Sequence, residues 1–219
     1  MAAEPTPAHS AVAAERWTAL AAALVVAAGV LFFDWSAFTV VGLYWIENVV
    51  IGAFTLLRMA AVGWLAGGAS RTGMLFLMAF FTVHYGLFCY AHGVFVVALL
   101  GGGHAAQATG LPTPWLQIPA RLLAEPLGGV ALLAVVAFVA SDFLRWLADA
   151  RRQPPPGNEL MFAPYRRIVV LHVALLGGAF LLALFGLPQA TVLLLVPLKL
   201  AFDLREVRRP FTFAWKRAA

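Results

Sequence analysis

Charge is what this chain has least of. Of its 219 residues only 11% are Asp, Glu, Lys or Arg, and only 10 are acidic. A soluble domain of this length needs a polar surface that such a composition cannot supply, so lipid is expected to be the main solvent. Cysteine is nearly absent: Cys89 stands alone, which excludes an internal disulfide. There is no internal repeat at a fixed period, no soluble segment long enough to bury a core of its own, and no nucleic-acid-binding motif behind the net charge of +5.

What the chain does have is apolar length. It is 63% hydrophobic, with a mean hydropathy of +0.88. Six spans are expected, at about 17–33, 38–60, 73–100, 121–147, 165–186 and 188–205. They are read as helices, because a bilayer offers no water to satisfy open backbone groups and the runs are too continuous for barrel strands. The predicted fold is therefore all-α: a polytopic membrane protein with six transmembrane helices in one bundle. Residues 1–14 read as a disordered tail, 15–206 as the membrane domain and 207–219 as a basic cytoplasmic tail.

The cations orient this model. All 15 Lys and Arg except Arg121 and Lys199 fall on the side shared by the two termini. The excess places both termini in the cytoplasm, the chain being multi-pass in the inner (plasma) membrane. Partners follow from the same charge: the bilayer itself, anionic lipids at the cytoplasmic face, and a second copy of the chain if it oligomerises, but no nucleic acid. Gly101–Pro119 and Asp149–Pro164 read as solvated connections, and Pro154-Pro155-Pro156-Gly157 in the second breaks any helix.

Several polar side chains interrupt the apolar runs. Burying a charge at a helix centre costs about 2.5–3.5 kcal/mol even on a lenient insertion scale, so intramembrane ionisable residues are treated as candidate functional groups. Glu47 lies roughly 13 Å into the second span, beside Asn48. His84 and His172 enter from the cytoplasmic side to similar depths and are expected to meet Glu47 near the midplane. Two imidazoles and a carboxylate form a common ligand set for zinc, iron or manganese. His92 is eight residues beyond His84, about 12 Å further out and about 80° around, so it lines an outer cavity, binds a second ion or bonds its neighbours. Lys199 and Asp203 are spaced to pair along one helix face, or to supply charge beside Glu47. Asp142, Arg145 and Asp149 read as a structural ladder, and Glu125 as a group that reaches water.

The motifs Tyr44-Trp45-x-Glu47-Asn48, His84-Tyr85-Gly86-x-Phe88 with His92-Gly93, Pro164-Tyr165-x-Arg167-Ile168 leading to His172, and Leu198-Lys199 with Asp203 resemble those of an uncharacterised bacterial integral-membrane family. The resemblance implies a small helical bundle and no assigned activity. Relatives often carry a His shortly after the last Asp, where this chain has Leu204-Arg205-Glu206, which weakens a ligand role there.

Four functions are expected to compete. One is a metal-dependent membrane hydrolase with metal ligands His84, His172 and Glu47, and with Glu47, Lys199 and Asp203 as its catalytic groups. The others are a proton- or ion-coupled transporter, a haem protein using His84 and His172, and an accessory protein whose polar groups lock helices together.

Overall fold

The computed structural model describes residues 20–21, 23–66, 68–101, 113–150, 157–162 and 164–165, and the single positions 169, 173, 177, 197 and 201. His172, Lys199 and Asp203 lie outside them, as do the fifth and sixth expected spans apart from those few positions. The described residues are mostly helical, with no strand among them. In chain order the helices are α1 (Ala23–Phe32), α2 (Ala37–Ala66), α3 (Gly68–Leu100), α4 (Pro114–Ala124), α5 (Gly128–Ala150) and α6 (Gly157–Phe162).

Three of these helices contain stretches long and apolar enough to cross a membrane: Ala37–Trp64, Arg71–Leu100 and Gly128–Ala148. Hydroxyls within them are satisfied locally, as an apolar setting requires. Thr55 Oγ1 donates to the Ile51 carbonyl and Thr82 Oγ1 to that of Met78, each at 2.8 Å.

α2 and α3 form an antiparallel hairpin, read from three contacts along its seam: Gly63 lies against Met74, Gly52 against Tyr85, and Gly93 against Trp45. α5 runs parallel to α2, since Thr39 meets Glu125 near one end and Arg58 meets Asp142 near the other. The core divides in two. Val40, Val41, Trp45, Val96, Val97, Ile118 and Leu122 fill the half towards Gly101, and Met59, Phe81, Tyr85, Leu160 and Met161 fill the half towards Arg58.

The fourth expected span is not one helix. Residues 121–147 are divided between α4 and α5 by a corner at Glu125-Pro126-Leu127. Pro126 offers no amide hydrogen, and Leu127 takes a left-handed φ of 61° that a branched side chain adopts only at a cost. The corner is fastened to the one between α1 and α2. Trp35 Nε1 donates to the Pro126 carbonyl at 3.0 Å, and Thr39 Oγ1 donates to Glu125 Oε1 at 3.1 Å. Glu125 is thus held by α2 through one oxygen and half-buried.

Both expected connections also carry helix. Gly101–Pro119 contains the start of α4, whose Pro114 stands in the first turn, where a missing amide hydrogen costs nothing. Asp149–Pro164 contains α6, whose Leu160 and Met161 are buried against Met59 and Phe81. The first span, expected over 17–33, has its apolar helix at Ala23–Phe32.

Candidate functional site

The polar residues of α2 and α3 lie at the junction of the two apolar clusters. Glu47, Asn48 and His92 are buried there, at 9%, 7% and 4% exposure, although all three side chains can hydrogen-bond and two can ionise. Two long-range bonds fix the register at this level. Trp45 Nε1 donates to the Cys89 carbonyl at 2.7 Å, and Tyr85 Oη donates to the Asn48 carbonyl at 3.0 Å. Both acceptors are main-chain groups of the facing helix, so these aromatics knit the hairpin while satisfying their own donors.

Asn48 is held by its amide. Nδ2 donates to the Tyr44 carbonyl one turn back at 2.9 Å, while Oδ1 has no hydrogen-bond partner among the described residues. A buried carbonyl oxygen without a donor costs about 1–3 kcal/mol. Such an atom marks where a ligand, a water or a further side chain is to be sought.

The two histidines of α3 have opposite surroundings. His92 is buried, and its Nδ1 donates to the Phe88 carbonyl at 2.7 Å. Since a carbonyl only accepts, Nδ1 carries a proton. His84 is exposed on the helix face, stacked on Phe80 with ring centroids 5.3 Å apart, and its Nδ1 lies 2.6 Å from the Tyr165 hydroxyl. Phe88 touches both imidazoles, at 5.8 Å from His84 and 5.4 Å from His92, and so links them in one ladder of rings.

Register decides which expected neighbours share a level. Gly52 faces Tyr85 and Trp45 faces Gly93, so positions of α2 and α3 at one level sum to about 137–138. Glu47 is therefore level with the Tyr90–Ala91 turn, next to His92, and some six residues, roughly 9 Å, from the level of His84. Among the described residues no three His, Cys, Asp or Glu side chains gather as a metal-binding group. His172, the third member of the expected set, lies outside the described residues, as do Lys199 and Asp203.

A separate ion pair closes the opposite end. Arg58 bonds Asp142 across α2 and α5, with Arg145 3.9 Å from the other oxygen of that carboxylate and the Trp146 ring 5.5 Å from the Arg58 guanidinium carbon. Of the ladder expected within one helix, Arg145 and Asp142 pair, Asp142 also bonds Arg58 of α2, and the Asp149 side chain lies outside those described. Tyr165 and Trp115 were not among the expected site residues. Tyr165 sits in a motif the sequence displays, and Trp115 follows a Thr-Pro helix start, but neither signal names its partner across the fold.

The model of the family of unknown function DUF6498 matches residues 6–217. The chain belongs to that family. DUF6498 carries no described activity, and no curated protein and no solved structure matches the chain. As a DUF6498 member it draws its functional reading from the geometry of its own polar residues.

Proposed function

We propose that this DUF6498 protein is a polytopic integral membrane protein of the inner (plasma) membrane, with both termini cytoplasmic, that takes up and releases protons at an intramembrane site centred on His84. One contact supports the reading above all others: the Tyr165 hydroxyl 2.6 Å from His84 Nδ1. His84 stands 13 residues from Arg71 and 16 from Leu100, the ends of the apolar stretch of α3, so it falls roughly 20–24 Å from either end. An imidazole midway along a span is expensive there unless it is used. Imidazole and phenol can each give and accept a proton, and at this distance one passes to the other directly. Glu47 and Asn48 form a second, buried polar position. Anionic lipids at the cytoplasmic face and a second copy of the chain are its expected partners.

The test is proton flux in liposomes reconstituted with the purified chain. His84→Gln and Glu47→Gln are each expected to abolish flux while leaving thermal stability within a few degrees of wild type. Unchanged flux in both variants overturns the proposal.

One observation favours a second reading, a metal-dependent membrane hydrolase. Metal-ligating imidazoles have one nitrogen held by an outer partner and turn the other to the ion, and the Nδ1 of His84 is held in this way. His84, His172 and Glu47 would hold zinc, iron or manganese, and the ion would supply an acidified water for attack on an ester or amide. Elemental mass spectrometry of tag-free protein decides between the two. About one metal per chain, lost in His84→Ala, favours the hydrolase; folded protein that takes up no added metal favours the proton site.

A further inference from the structure

We propose that α4 is a membrane-embedded half-helix of a re-entrant segment, which starts over the layer of Glu47, Asn48 and His92 and runs out to the Gly101 end. The inference rests on reading α2 and α3 as membrane spans. Three contacts give the direction of α4 against α2. The Trp115 and Trp45 rings are 5.0 Å apart, a Cβ on Gly42 would stand 2.9 Å from Ile118 Cγ2, and the Arg121 guanidinium lies 4.7 Å from the Phe38 ring. As α4 advances from 115 to 121, its α2 partners fall from 45 to 38.

Two contacts against α3 agree. Pro114 packs on Gly93, and Arg121 Nη1 donates to the Gly101 carbonyl at 2.6 Å. The first turn of α4 is therefore seven residues, about 10 Å, inside the last residue of α3, and its last turn is level with the end of the span. Eleven residues give α4 a length of about 16 Å, half the thickness of a hydrocarbon core.

The seat is cut for this helix. A Cβ on Gly93 would stand 2.6 Å from the Pro114 Cβ and 2.9 Å from Trp45 Cζ2, so only glycine admits α4 at that depth. Pro114, Ile118 and Leu122 form the buried side, while Leu116 and Leu123 project outward at 71% and 57% exposure. An aqueous loop gains nothing from such an outer face; a helix in lipid requires it. Non-spanning backbone at membrane depth persists only when packed on protein, and Gly42 and Gly93 supply that packing. So placed, α4 closes the polar layer to water at the Gly101 end.

Cysteine labelling tests this in the full chain in whole cells and inverted membrane vesicles, with Cys89→Ala as background. Single variants Thr113→Cys, Ala120→Cys and Leu87→Cys are treated with a membrane-impermeant maleimide, then with a permeant one. Ala120→Cys is expected to label from one side only. Thr113→Cys is expected to resist the impermeant reagent from both sides, at least tenfold slower than Ala120→Cys, while reacting with the permeant reagent. Gly93→Leu, or Trp115→Ala should the former fail to fold, is expected to restore labelling of Thr113→Cys. Impermeant labelling of Thr113→Cys as fast as that of Ala120→Cys overturns the proposal. Impermeant labelling of Leu87→Cys, at the centre of α3, would instead overturn the membrane reading on which it rests.

Discussion

Arg58 and Asp142 are bonded across 84 residues of sequence, joining α5 to α2 at the end remote from α4. The two side chains are not equally wet, at 13% exposure for Arg58 and 46% for Asp142. Arg58 Nε, moreover, is buried without a partner among the described residues. Loss of the carboxylate should therefore hurt more than the loss of an ordinary surface pair. Asp142→Ala is expected to destabilise by about 1–3 kcal/mol. Arg58→Met with Asp142→Ala should recover part of that loss, because no charge is then left half-buried. Thermal unfolding in detergent across the double-mutant cycle checks this, and strictly additive effects would contradict it.

Trp45 offers a cleaner measurement of one hydrogen bond. Its ring packs on Trp115 and Gly93, while Nε1 donates to the Cys89 carbonyl. Trp45→Phe keeps most of the apolar contact and deletes the donor. Interhelical hydrogen bonds in membranes average about 0.6 kcal/mol and reach about 1.7 kcal/mol. A loss within that range is expected, plus a smaller term for ring volume. Trp45→Ala should cost about 3–5 kcal/mol, since it also opens a cavity.

The corner between α4 and α5 should tolerate almost no change at Gly128. A Cβ there would overlap the Leu122 carbonyl oxygen, which is main chain and cannot rotate aside. Gly128→Ala is expected to be destabilising enough to lower the yield of folded protein several-fold in membranes. Leu127→Gly, by contrast, relieves a positive φ and should be tolerated. Size-exclusion profiles of the two variants compare them directly.

Asn48 separates a packing role from a binding role. With Oδ1 unpartnered, the side chain's one hydrogen bond among the described residues is from Nδ2 to the Tyr44 carbonyl. Asn48→Leu should therefore change stability by less than about 1 kcal/mol. If Oδ1 serves the proposed proton site, the same variant should lose flux while remaining folded. Loss of stability and flux together would assign Asn48 to packing.

Tyr165 is expected to act through His84. Tyr165→Phe keeps the ring contacts with Phe81 and Tyr85 but removes the hydroxyl from His84 Nδ1. ¹⁵N NMR of the His84 ring should then show a changed tautomer balance, with little effect on melting. An unchanged ring spectrum would mean that the hydroxyl does not govern the imidazole.

Some of this was legible in the residues alone. The apolar stretches of α2 and α3 are long and uninterrupted by Pro, and their limits were readable to within a turn or two. Glu47, Asn48 and His92 stood out because polar groups in apolar runs are costly, and all three are buried. His84 is exposed on its helix, and periodicity does not tell which face of an all-apolar helix meets protein. The fourth span starts later than expected, at Gly128, for a related reason. Hydropathy is summed along the chain and passes smoothly through Glu125-Pro126, where the backbone turns.

The sequence by itself determined the helical class and the stretches long and apolar enough to cross a membrane, because composition leaves little polar surface. It also determined which side chains are expensive and so worth explaining. Only the tertiary structure decided which of them are neighbours. The close approach of Gly93 to Pro114 and of Gly52 to Tyr85 fixes the register of the helices. A shift of one turn, about 5 Å, is enough to join or separate Glu47 and a histidine. Register depends on contacts between residues far apart in the chain, and no local pattern encodes it.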